Sequence, residues 1–198
     1  MPGGTQKARK QAVETFVSLI RGINVAGHRP VKMARLVELC EGLGYSNPRT
    51  YLQSGNVVFE SGRGPNRAVG DALERLILRE CGLEVSVAVR TSREMTAALA
   101  ANPLASRPGV DTRFLHATFL VGQDGRASLD GVALPLARGE EAVLVGSVVY
   151  VYCPNGYGVT KINNTFFERK LGARATTRNW NTVTALERMA RGGPRDEP

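Results

Sequence analysis

Thr15-Phe-Val-Ser-Leu-Ile20, continuing into Arg21-Gly-Ile-Asn-Val-Ala-Gly-His28, is the stretch on which the fold turns. Its first six residues form a short, largely apolar run suited to a central strand. The glycine-containing segment from Arg21 to Val31 reads as the loop that leaves this strand. Beyond it Met33, Leu36, Val37, Cys40 and Leu43 recur at helical spacing, and Gly44 follows as a C-terminal cap. After a break at Asn47-Pro48 come two strands, Arg49–Leu52 and Asn56–Glu60, joined by a tight turn around Ser54-Gly55. Pro65 opens a second helix with Val69, Ala72, Leu73 and Leu76 on one face, and Val85, Val87 and Val89 alternate as a fourth strand. The order β-α-β-β-α-β is the split βαβ, or ferredoxin-like, arrangement, here over residues 14–101.

A helix from Ser92 to Ala101 and the proline-rich stretch Asn102–Pro108 form the hinge into a second unit at 110–191. That unit repeats the theme in weaker form. Phe114–Val121 is a strand, and Arg126–Arg138 is a helix candidate against which Gly131 and Pro135 count. Ala142–Val145 and Val148–Cys153 make a hairpin about Gly146-Ser147, and a helix follows from Lys161 to Leu171. The last helix begins after Thr176 or Thr177, either of which suits an N-cap. Trp180, Val183, Leu186 and Ala190 form its buried stripe with Met189 beside them, while Arg178, Asn181, Ala185 and Arg188 lie on the other side. The expected fold class is α+β, a ferredoxin-like βαββαβ unit followed by a smaller, degenerate βαββα unit with an extra C-terminal helix. Residues 1–13 and 192–198 read as flexible tails.

At 198 residues, 42% hydrophobic and 22% charged, the chain has the composition of an ordinary globular protein. No run approaches the ~20 apolar residues of a spanning helix, and Met1–Gln11 lacks the apolar core of a secretory leader. Cys40, Cys81 and Cys153 are odd in number and far apart, which suits buried thiols in a reducing cytoplasm better than a disulfide framework or a zinc site. The expectation is a cytoplasmic protein with no membrane partner, no metal and no cofactor.

The net charge is +8. Lys7, Arg9 and Lys10 hold part of the excess. Most of the rest falls in residues 161–190, where Lys161, Arg169, Lys170, Arg174, Arg178 and Arg188 face only Glu168 and Glu187. Two readings stand: an anionic partner, or a solvated surface in an arginine-rich chain.

Chain geometry turns distant motifs into neighbours. In a right-handed βαβ crossover the first two strands run parallel, so their C-terminal ends share one edge. That edge gathers Arg21, Asn24, His28, Lys32, Gln53, Ser54 and Asn56, a set of polar groups suited to a small anion or polar ligand. Each also has a plain structural use, since Gly22, Gly27 and Gly55 permit positive φ and Asn24 and Asn56 serve turns. The segment Pro154–Lys161 is a second glycine-containing loop entering a helix, without the glycine spacing of a Walker loop. Downstream, Arg178 and Asn179 can meet phosphate, and Trp180 either stacks on a base or packs in the core. With His28 and His116 as the only histidines, nucleophilic catalysis finds little support, a pairing of His116 with Cys153 included.

Leu19-Ile-Arg-Gly-Ile-Asn-Val-Ala-Gly27 and Arg49-Thr-Tyr-Leu-Gln-Ser-Gly-Asn-Val-Val-Phe59 resemble the N-terminal signature of the bacterial family called domain of unknown function 1697. Phe166-Phe-Glu-Arg-Lys-Leu-Gly172 and Ala175-Thr-Thr-Arg-Asn-Trp-Asn-Thr-Val183 are similar to its C-terminal signature. The resemblance implies a cytoplasmic bacterial protein with an α+β fold containing a ferredoxin-like part, and it brings no activity. The expected function is binding of a phosphate-bearing ligand, with nucleic acid the first candidate. Arg21, Asn24, Gln53, Ser54 and Asn56 would orient it, and Lys161, Arg169, Lys170, Arg174, Arg178 and Asn179 would supply charge and donors. The alternatives are a small enzyme acting on a phosphorylated or nucleotide-like metabolite, and a protein-interaction module whose oligomeric state the sequence leaves open.

Overall fold

The computed structural model describes residues 13–25, 30–62, 64–122 and 126–193. The tails at 1–12 and 194–198, and with them most of the tail expectation, lie outside the described residues, as does His28. Within them the chain is a mixed α+β protein with two four-stranded antiparallel sheets and five α-helices. The first half runs β1 (Glu14–Ile20), α1 (Met33–Gly42), β2 (Ser46–Tyr51), β3 (Asn56–Ser61), α2 (Asn66–Cys81), β4 (Val87–Thr91) and α3 (Ser92–Ala100). The second runs β5 (Leu115–Val121), β6 (Glu141–Val145), β7 (Val148–Tyr152), α4 (Asn164–Leu171), β8 (Arg174–Asn179) and α5 (Trp180–Ala190).

The first sheet has the order β2-β3-β1-β4 and the second β6-β7-β5-β8. The registers also match. Val17 of β1 faces Val58 of β3 and Arg90 of β4, while Ala117 of β5 faces Tyr150 of β7 and Arg178 of β8. Ile20 N donates to Gly55 O at 2.8 Å, and its counterpart Leu120 N donates to Ser147 O at 2.9 Å. The halves are therefore built alike, down to single hydrogen bonds.

Three clusters form the core, because alternate residues of a strand face opposite sides of its sheet. Phe16, Ile20, Val57, Phe59 and Val87 pack under α1 and α2. Leu120, Val149 and Val151 pack under α4. Between them Val17, Leu19, Val58, Ala117, Phe119 and Tyr150 share one cluster with Met95 of α3 and Val183 and Leu186 of α5. The inner faces of both sheets thus close on a common core.

Several readings of the sequence are corrected. Residues 174–179, expected as the approach to the last helix, form the edge strand β8, so the second half has as many strands as the first. Polar Thr176, Thr177 and Asn179 hide a strand whose neighbours, not its own pattern, supply the burial. The N-cap of α5 is therefore Asn179, whose Oδ1 accepts from Asn181 N at 3.0 Å, and neither Thr176 nor Thr177. Among the described part of 126–138 there is no helix, as Gly131 at φ 71° and Pro135 foreshadow. Its extended strap lies where the first half has α1. Finally, Asn47-Pro48, expected as a break ahead of the first unit's second strand, lies within that strand. Asn47 at φ 51° and a register shift between Ser46 and Arg49 make a bulge, and Pro48 is tolerated because β2 is an edge.

Trp180 is 6% exposed and meets Tyr150 edge-on at 6.1 Å between centroids, so it belongs to the core. Ala185, expected on the opposite side of its helix, is buried as well.

Candidate anion-binding site

The Arg21 loop and the Gln53 turn meet at one rim, as the crossover geometry requires. Asn24, at φ 55°, ties them together: its Nδ2 donates to Val31 O at 2.9 Å and Gln53 O at 2.8 Å, and its Oδ1 accepts from Val31 N at 2.7 Å. Asn56 is fully buried, and its Nδ2 donates to Tyr51 O and Ser54 Oγ, both at 2.9 Å. Gly55 sits at φ 76°, and a Cβ there would stand 2.9 Å from Ile23 Cδ1 and 3.0 Å from Ile20 Cβ. Only glycine fits that turn against the strand end. Gln53, Ser54 and Lys32 are exposed on this rim.

The second half reaches into the same rim. Arg178 of β8 donates through Nε to Asn56 Oδ1 at 2.6 Å and through Nη2 to Ile20 O at 2.7 Å and Ser54 O at 3.1 Å. Its Nη1 serves Thr176 Oγ1 at 2.8 Å and Thr177 O at 2.9 Å. No carboxylate pairs with it among the described residues. Burial alone pulls its guanidinium down from 12.5 to about 10, which leaves it cationic at neutral pH. Arg21 forms an ion pair with Glu168 of α4, whose Oε1 also accepts from Ala175 N at 2.9 Å. The two signature regions are thereby bonded to each other across more than a hundred residues.

Arg90 of β4 is the counterpart of Arg178 in register, and it reaches the opposite way. Its Nη2 donates to Leu120 O at 2.7 Å and Ser147 Oγ at 3.2 Å, and its guanidinium lies 5.5 Å from the centre of the Phe119 ring. The last strand of each half thus carries an arginine that closes the first strand and hairpin of the other.

The remaining expected cations divide. Arg174 forms an ion pair with Glu74 through two contacts, at 2.7 and 2.8 Å. Asn179, besides capping α5, donates through Nδ2 to Arg113 O at 2.9 Å. Lys161, Arg169 and Lys170 are exposed and have no carboxylate partner among the described residues. They line a depression of about 650 Å3 with Asn163, Thr165 and the strap residues Ala133 and Pro135. This hollow exists because the strap, not a helix, lies beside α4.

One polar cluster escaped sequence reasoning. Thr177 Oγ1 accepts from Tyr157 at 2.9 Å, donates to Asn164 Oδ1 at 2.7 Å and lies 2.7 Å from Thr118 Oγ1. His116 stacks on Tyr157 at 4.6 Å, with Nδ1 3.2 Å from Phe114 O. Burial lowers the His116 pKa, more than the Phe114 contact raises it, so the ring is neutral at pH 7. The cross-strand pairing of His116 with Asn179 and Thr118 with Thr177 assembles this cluster, and it became legible only once β8 was a strand. Two of the three thiols are poor nucleophiles: burial pushes Cys153 up to about 11 and Cys40 up to about 12. No group of three or more His, Cys, Asp or Glu among the described residues is arranged to hold a metal ion, and no helix there is long and apolar enough to cross a membrane.

Comparison with known proteins bears on this arrangement. A family model described as "Protein of unknown function (DUF1697)" matches residues 13–150. A conserved bacterial protein of Streptococcus pneumoniae has a similar solved structure, with a TM-score of 0.69 and 22% sequence identity, covering 90% of this chain and 99% of that one. At that identity the likeness concerns the fold alone. An ATP-dependent lipid A-core flippase of Ralstonia nicotianae is 43% identical over 65 residues, 31% of this chain. The matched segment spans 10% of that flippase's length.

Proposed function

The chain belongs to the DUF1697 family of proteins of unknown function, and we propose that it binds a phosphate-bearing ligand through Lys161, Arg169 and Lys170, with nucleic acid the ligand to test first. One observation carries this reading. Arg21, Arg174 and Arg178 spend their donors on Glu168, Glu74 and neutral oxygens inside the molecule, whereas these three cations stay exposed around a concave surface and have no carboxylate partner among the described residues. Asn163 and Thr165 add polar side chains to the same hollow. An open, cationic depression suits a backbone phosphate, which is bound by charge without demanding a particular base. The companion reading of the architecture is that each half is a ferredoxin-like unit, with the first helix of the second replaced by the strap. Its support is the shared strand order and register.

Filter binding of a single-stranded oligonucleotide tests the functional reading. Retention is expected at low salt. The affinity should fall with a log–log slope of about −2 if three phosphates are neutralised. The Lys161→Glu/Arg169→Glu/Lys170→Glu variant should lose retention while keeping its melting temperature. No retention by the wild type at low salt, or full retention by the variant, removes the proposal.

A further inference from the structure

The reciprocal arginines create two clefts equivalent in register but unequal in content. At the Arg178 cleft the hairpin turn is four residues long, Leu52–Gly55, and the Arg21–Glu168 pair stands beside it. At the Arg90 cleft the turn is only Gly146-Ser147, and Val121 occupies the position that corresponds to Arg21. A shorter turn, and no cation at the position of Arg21, accompany a groove of about 960 Å3 there. That is the size of a small-molecule site, and such sites favour the junction between structural units.

The groove has a closely packed floor and a charged mouth. Val87, Val89 and Leu120, buried in the core, form its floor, and half-buried Val121 reaches its surface. Gly70 lets α2 lie close to that floor, since a Cβ there would be 3.2 Å from Val87 O. Arg67 and Arg93 stand exposed at the mouth. Arg93 has no ion pair among the described residues, and Arg67 is a loose 4.0 Å from Asp71. Of the other carboxylates, Glu94 already accepts from Thr91 N at 2.7 Å and Asn66 Nδ2 at 2.6 Å, and Glu14 is exposed. Arg174, also on the lining, is held by Glu74.

We propose that this groove binds a small organic anion, its body seated in the cleft beside Val121 and its anionic group meeting Arg67 and Arg93. The arginine fork suits an anionic oxygen pair, and a concave site removes much of a small ligand's own surface from water. This site lies apart from Lys161, Arg169 and Lys170, so either proposal stands if the other fails.

The probe is 8-anilinonaphthalene-1-sulfonate, an apolar ring system bearing one sulfonate, titrated into the full chain at a temperature where the protein is folded. Saturable fluorescence is expected, with amide shift changes concentrated at Val89, Gly122, Gly146 and Ser147. In Arg67→Glu/Arg93→Glu the affinity should fall about tenfold or more, the weight of one charge-assisted contact, with the melting temperature unchanged. Lys161→Glu/Lys170→Glu should bind the probe as the wild type does. Absence of saturable binding, shift changes confined to other surfaces, or wild-type affinity in Arg67→Glu/Arg93→Glu would each overturn the proposal.

Discussion

Replacing Arg178 with methionine tests whether this half-buried arginine holds the two halves together. The substitution removes five hydrogen bonds. Three of the acceptors belong to residues no more than 1% exposed, namely Ile20, Asn56 and Thr176. A buried acceptor left without its donor costs about 1–3 kcal/mol, so the three together cost about 3–9 kcal/mol. Relief of charge burial opposes this loss. The guanidinium lies at about 10 in place of 12.5, and at about 1.4 kcal/mol per unit that is about 3 kcal/mol against the charged form, which methionine does not incur. Methionine also keeps much of the stem packing. The net expectation is a loss of about 3 kcal/mol, read as a lower urea midpoint with an unchanged slope. Arg178→Lys keeps the charge but brings three donors to five acceptors and lacks the planar fork, so it should recover less than half of the loss. A loss below about 0.5 kcal/mol in the methionine variant, or a lysine variant as stable as the wild type, refutes the reasoning.

Two further outcomes follow from the same geometry. Gly55→Ala meets both a positive φ and atoms at 2.9–3.0 Å, whereas Gly146→Ala meets a positive φ and nothing within 4 Å. The first should cost about 3 kcal/mol and the second about 1 kcal/mol by chemical denaturation, and equal losses would dispose of the crowding argument. For His116 the folded pKa lies below its ordinary 6.5. The unfolded chain therefore binds the proton first as the pH falls, so the contribution is intact above pH 6.5 and is lost on acidification through the folded value. Wild type should lose stability relative to His116→Gln below pH 6.5, and a difference that stays constant from about pH 8 to about pH 5 contradicts the burial of a neutral ring.

The first sheet was legible because its signals are local. The apolar run at Thr15–Ile20, the helical stripe from Met33 to Leu43 and the turn at Ser54-Gly55 each announce their element within a few residues. Even the meeting of Asn24 with Gln53 followed from the handedness of a crossover. β8 was not legible, because Arg174-Ala-Thr-Thr-Arg-Asn179 has no alternating apolar pattern of its own. It becomes a strand by pairing with β5, whose residues lie more than fifty positions earlier.

The sequence by itself determined the α+β class, most element positions and the concentration of positive charge near the C-terminus. Only the tertiary structure decided which of those cations stay exposed. Arg21, Arg174 and Arg178 look like Lys161, Arg169 and Lys170 in a linear chain, yet the first three find acceptors on Glu168, Glu74 and the end of β1, and the others find none among the described residues. An arginine's availability is set by what folding brings within about 3 Å of its donors, and those partners lie 100 to 158 residues away along the chain.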